Sequence, residues 1–180
     1  LRWEHPTRGT LLPAQFLHLA DESGAVVPIG DWVLAQACTE ASAWLASGVV
    51  DRSFSVHVNI SPRQLQEGTF VERVLSVLRS HDLNPAQLTL DFDEATLNDD
   101  TSSTKRALQA LRRFGVRIAL DDFGIGVSSL TALRDCSADI VKLDGTVARG
   151  LGANGEDDPL VRAIIQFAHA LDKQVVAEWV

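Results

Sequence analysis

The chain has 180 residues, 46% of them hydrophobic, which suits one domain that buries a core without disulfide staples. Its 16 basic and 24 acidic residues leave a net charge of -8 with no basic tract, which excludes a protein whose main work is neutralising a nucleic-acid backbone. Cys38 and Cys136 make neither a disulfide framework nor a thiolate metal site, and a reducing, cytoplasmic setting is expected.

The chain opens without a methionine, which points to a start inside a longer protein, and that parent could itself carry a membrane anchor. Leu1-Arg2-Trp3 reads as the tail of a strand. From Ile29 to Gly48, apolar residues recur at helical spacing, with Gly48 as the stop. The stretch from Trp32 to Val50 is the most apolar, yet Gln36, Thr39 and Glu40 interrupt it, so it is a core helix and not a membrane span. Trp3, Trp32 and Trp44 are expected to pack in the core. Phe54 to Asn59 alternates as a strand does, and Ser61-Pro62 opens a loop or helix. A helix with Phe70, Val74 and Leu78 on one face leads through Asn84-Pro85 to a strand at Leu88 to Phe92. Thr104 to Phe114 is the next amphipathic helix, Gly115 its stop, and Val116 to Leu120 the strand that runs into Asp121-Asp122. Ile140 to Asp144 is a further strand, and a helix around Leu160 to Leu171 precedes the last, Gln174 to Glu178.

Strands that alternate with amphipathic helices, about 30 residues per unit, imply parallel β-α-β connections and an α/β class. Each strand ends on a polar side chain, the pattern of a TIM-like (β/α) barrel with its site at the C-terminal pole. A full barrel usually takes about 250 residues, so the five clear strands predict a barrel incomplete at both ends.

That pole would gather Asn59, Asp91, Asp121, Asp122, Lys142, Asp144 and Glu178 from five strands. Oxygen ligands without cysteine suit Mg²⁺ or Mn²⁺, and an adjacent Asp-Asp pair offers ligands to two ions, an arrangement suited to phosphodiester hydrolysis. Taken singly, each residue has a plainer use. An Asp after a strand is usually a helix cap, Asn59 could cap the segment at Ser61-Pro62, and Gly124-Ile125-Gly126 could be only a turn. Lys142 in a buried strand needs a partner, and Asp144, on the same side, could supply a structural ion pair. The histidines His5, His18, His57, His81 and His169 show no metal-type spacing and receive no role. What carries weight is the coincidence across five strands.

In order along the chain, Leu1-Arg2-Trp3-Glu4-His5-Pro6, Ile29 to Leu34, Val58-Asn59-Ile60-Ser61 with Gln64-Leu65, Leu120-Asp121-Asp122-Phe123-Gly124 with Gly126 and Ser128-Ser129-Leu130, Asp139 to Asp144, and Val175 to Glu178 resemble the motifs of the EAL domain of bacterial cyclic di-GMP signalling. The resemblance implies that Asn59, Asp91 and Asp121 bind metal, that Asp122 serves a second ion, and that Lys142 and Glu178 position the attacking water. It also implies that Arg2, with Asn59, meets the substrate, and that Glu94 steadies the loop after Asp121, with Asp144 as a further support. The implied ligand is cyclic di-GMP. Other implied partners are a second copy of the chain and sensory or GGDEF-type domains in the parent.

The departures are specific. The glutamate of the Glu-Ala-Leu motif that names the family, by the same resemblance a further metal ligand, would fall before Leu1. Asp91-Phe92-Asp93-Glu94 stands where the family has Glu-Ile-Thr-Glu, so that ligand is one methylene shorter. Ile125 and Val127 replace threonine and tyrosine in the loop, and Trp179 replaces a glycine. These changes keep open a receptor that binds cyclic di-GMP without cleaving it, or an interaction module that binds neither metal nor nucleotide. Another metal-dependent barrel lyase would fit the strand-end chemistry but not the ordered motifs. On this reading the 180 residues alone are expected not to turn over the nucleotide and to be poorly stable or self-associating.

Overall fold

A computed structural model describes residues 1–97, 99, 101–124, 130–148 and 158–178. The chain opens with a hairpin, β1 (Trp3–His5) and β2 (Gly9–Leu11), paired antiparallel with Trp3 opposite Leu11. Leu1-Arg2-Trp3 is therefore not the end of a sixth parallel strand, as the sequence had suggested. The cause is local: Gly9 takes a left-handed φ of 71°, and His5 Nδ1 accepts hydrogen bonds from the Thr7 and Arg8 amides, so the chain doubles back.

Helix α1 (Leu17–Ser23) ends on left-handed Gly24, and α2 (Val26–Ser47) begins three residues before the predicted Ile29. Pro28 falls in the first turn of α2, where its missing N–H has no intrahelical partner to lose. Gly48 closes α2 as expected, its amide donating to the Leu45 and Trp44 carbonyls.

Five parallel strands follow in the order β3 (Val56–Asn59), β4 (Leu88–Phe92), β5 (Arg117–Phe123), β6 (Ile140–Leu143) and β7 (Gln174–Ala177), each beside the next. The crossovers are α4 (Phe70–Ser80), α6 (Ser102–Arg113), α7 (Leu130–Asp135) and α9 (Pro159–Ala170). Short helices α3 (Pro62–Gln66), α5 (Glu94–Leu97) and α8 (Gly145–Ala148) lie just past the C-terminal ends of β3, β4 and β6. Among the described residues the sheet does not close on itself.

The strands explain why the helices gather on one side. Side chains alternate along a strand, and Val58, Leu90, Ile118, Leu120, Val141 and Leu143 share one face and one buried core with the helices. The stripe of α2 in that core is Leu34, Cys38 and Ala41, two of them small enough for close approach. The tryptophans stand at the margins instead of in the core, with Trp3, Trp32 and Trp44 40%, 57% and 40% exposed. Trp3 meets His5 and Phe16 edge-on, and Trp44 meets Phe54. Among the described residues no helix is long and apolar enough to cross a membrane.

Candidate functional site

The same alternation that sends Val58 and Leu90 to the core turns His57, Asn59, Thr89, Asp91 and Lys142 to the opposite, polar face. Asn59 and Asp91 are register partners at the C-terminal ends of β3 and β4. Asn59 does not cap the next helix. Ser61 does, its hydroxyl accepting from the Gln64 amide while the Gln64 side chain accepts from the Ser61 amide.

Two consecutive aspartates in a regular strand would face opposite sides. Here β5 carries a bulge: Leu120 pairs with Val141 and Phe123 with Leu143, so β5 spends one residue more than β6. Asp122 has a left-handed φ of 53°, a conformation aspartate tolerates better than most residues. Gly124, φ 104°, continues the turn, and a side chain there would run into Val147. The bulge aims both acids at the mouth of the sheet, where Asp121, Asp122 and Glu178 each bring a carboxylate oxygen within 4.8 Å of the others.

Lys142 lies among these carboxylates. Its Nζ is 2.6 Å from Asp121 Oδ1, 2.6 Å from Glu178 Oε1 and 3.0 Å from Asp91 Oδ2, so one ammonium joins β4, β5 and the end of β7. Burial alone would lower its pKa, but the hydrogen bonds to Asp121, Glu178 and Asp91 outweigh burial and hold it above the ordinary lysine value. Lys142 is therefore charged at neutral pH and has no lone pair with which to take a proton. The Asp122 carboxyl is pushed up, first by burial and then by repulsion from Asp121, Glu178 and Asp144, with Lys142 opposing.

Asp91 is the most deeply placed of the acids, its side chain 2% exposed. Both oxygens are engaged, Oδ2 by Lys142 and Oδ1 by His57 Nδ1 at 2.9 Å. Sequence reasoning gave His57 no role. The signal was its position two residues before Asn59, which in a strand means the same face.

Other predicted residues fall differently. The expected counter-ion for Lys142 on its own strand is replaced by carboxylates from neighbouring strands, and Asp144 Oδ1 accepts from the Thr146 amide at the start of α8. Glu94 is the first residue of α5, half-buried, and α5 packs against β5. Its expected contact with the loop through Ser129 lies outside the described residues, as do Ile125, Val127 and Trp179. Arg2 makes no ion pair among the described residues. Its guanidinium donates to the Leu1 carbonyl and lines a cavity of about 550 Å³ with Trp3, Phe16 and Trp32.

Four carboxylates against one ammonium leave the mouth acidic, and its donors are all oxygen. That chemistry suits a hard divalent cation, which would relieve the mutual repulsion of Asp121, Asp122 and Glu178.

Comparison with known proteins agrees with this architecture. The bifunctional diguanylate cyclase/cyclic di-GMP phosphodiesterase MucR of Pseudomonas aeruginosa is 38% identical over 180 residues, which is 100% of this chain but only 26% of that protein. A solved structure of the PaMucR phosphodiesterase in complex with c-di-GMP superposes with a TM-score of 0.83 at 37% identity, covering 98% of this chain and 70% of that one. The EAL enzyme Bd1971, solved with cAMP and cyclic di-GMP bound, gives a TM-score of 0.82 at 30% identity and covers 98% of this chain and 48% of that one. The parallel α/β sheet is thus part of a TIM-like barrel fold. The family model described as EAL domain matches residues 1–180, and the chain belongs to the EAL domain family.

Proposed function

We propose that the protein carrying this domain hydrolyses cyclic di-GMP to the linear dinucleotide pGpG. The observation that carries the reading is the cluster of Asp121, Asp122 and Glu178 around the Lys142 ammonium, in a chain of this family. Asn59, Asp91 and Asp121 would hold one Mg²⁺ or Mn²⁺ and Asp122 a second. Bound divalent ions would supply an acidified water and charge to stabilise the oxygen that leaves phosphorus.

The remaining work falls to side chains. Glu178 orients the attacking water by accepting its hydrogen bond. Lys142, an ammonium hydrogen-bonded to Asp121, Glu178 and Asp91, acts by donating a hydrogen bond and by offsetting anionic charge at the phosphate. Arg2 meets the ligand's phosphate, and Glu94 and Asp144 steady the segments behind the mouth. By likeness to the longer relatives, sensory or GGDEF-type domains in the same protein and pairing with a second copy belong to this reading.

One observation favours a receptor as the second reading: both Asp91 oxygens are engaged by the protein itself. The test is to incubate the full-length protein with cyclic di-GMP and Mg²⁺ or Mn²⁺ and separate the products by chromatography. Linear dinucleotide is expected, and it should vanish with a chelator and in Asp121→Ala. Tight binding with no linear product at saturating metal would overturn the enzyme in favour of the receptor.

A further inference from the structure

His57 is a polar group on the open face for which the proposed chemistry has no use. In the β3–β4 register it lies opposite Thr89, so Asp91 is its diagonal neighbour, and the Asp91 carboxylate leans back along β4 to reach it. The result is a 2.9 Å contact from His57 Nδ1 to Asp91 Oδ1. Because the acceptor is a carboxylate, Nδ1 carries the proton, whether the ring is neutral or charged.

The contact matters because of where Asp91 sits. Its side chain is 2% exposed, against 19% for Asp121 and 23% for Glu178, so water cannot orient it as it can the other two. The terminal torsion of an aspartate is broad, and a carboxylate held at one oxygen only can turn. Here Oδ1 is held by His57 while Oδ2, 3.0 Å from Lys142 Nζ, points to the mouth. His57 itself does not belong to the three-carboxylate cluster found among the described residues.

We propose that His57 is a positioning residue for Asp91: by holding Oδ1 it presents Oδ2 to the mouth, where Lys142 binds it now and a divalent cation would take it. This inference rests on the reading of Asp91 as a metal ligand. A partner of this kind typically changes metal affinity by about 10- to 100-fold when it is lost.

The test uses the full-length protein and Mn²⁺ alone, titrated by calorimetry, with His57→Leu, His57→Gln and His57→Asn beside the wild type. Asparagine places an amide N–H where Nδ1 stands, while glutamine carries it one bond farther out. His57→Leu and His57→Gln should weaken Mn²⁺ binding by about 10- to 100-fold, and His57→Asn should restore it. If His57→Leu fails to fold, the asparagine and glutamine variants decide the matter, since both keep a polar group of similar size. Equal weakening in those two, or unchanged affinity in a folded His57→Leu, would overturn the proposal. A wild-type protein that binds no Mn²⁺ would overturn the metal-site reading beneath it, which is a separate result.

Discussion

Lys142→Met removes the ammonium that three carboxylates share. Asp91, with its side chain 2% exposed, would keep only the His57 contact and suffers the full loss of an ion-pair partner. Asp121 and Glu178, at 19% and 23%, keep some water and can turn toward it, so their share is small. Breaking a buried pair costs about 3–5 kcal/mol, and with one fully buried acid the low end applies, about 3 kcal/mol. With a urea m value of about 2 kcal/mol/M, the unfolding midpoint should fall by about 1.5 M at pH 7 in EDTA. The pH dependence comes from the direction of the shift. Because the folded pKa of Lys142 is raised, its stabilisation is fully present below the ordinary lysine pKa and is lost as pH rises through the higher folded value. At pH 7 the whole effect is therefore measurable. Mn²⁺ should restore part of the loss by replacing the missing charge. A midpoint within about 0.3 M of wild type in EDTA would show that the ammonium is not the countercharge that holds the mouth together.

Asp122 has a raised pKa, so it takes up a proton at higher pH than an ordinary aspartate, and divalent-ion affinity should begin to fall sooner as pH drops from neutral. Calorimetry in buffers of different ionisation enthalpy would show the proton released on ion binding, and Asp122→Asn should abolish that component; its persistence would place the proton elsewhere. Burial pushes the Cys38 thiol up to about 11, so at pH 8 it should be alkylated only as fast as the protein unfolds. Peptide mapping that finds native Cys38 reacting like a free thiol would contradict its place in the core. In Gly30→Ala the added methyl would collide with the buried Gln64 carboxamide, and a loss of about 1–3 kcal/mol is expected in thermal melts. No loss would mean that α3 moves aside freely.

Much of the architecture was legible because burial on one side leaves a period-two pattern in strands and a period near 3.6 in helices. The five parallel strands and the crossover helices α4, α6 and α9 are readable from apolar runs such as Leu88 to Phe92 and from stops such as Gly115, whereas the short α7 reads only as a linking segment. The hairpin at Trp3 was not legible, because three residues carry no period and Gly9 shows its left-handed turn only in three dimensions. The margin positions of Trp32 and Trp44 were missed because helical spacing alone does not say how wide the buried stripe of α2 is.

In the site, the gathering of strand ends was readable, since parallel strands share a pole. The partners of Lys142 were not, because they come from neighbouring strands and depend on register. The β5 bulge lay beyond the pattern as well: adjacent aspartates hint that a regular strand cannot use both, but only the register change between Leu120 and Phe123 shows how it is solved. His57 was discounted for lack of a second histidine at metal spacing, when its same-face relation to Asn59 was the informative feature.

The central claim is that the acids at the strand ends form a cation site. The most direct measurement is anomalous diffraction from crystals of the full-length protein grown with Mn²⁺. The account predicts a peak held by Asn59, Asp91 and Asp121, a second beside Asp122, and the Lys142 ammonium moved off at least one of its present carboxylates. An unoccupied mouth at saturating Mn²⁺, with Lys142 still bound to Asp91, Asp121 and Glu178, would contradict it.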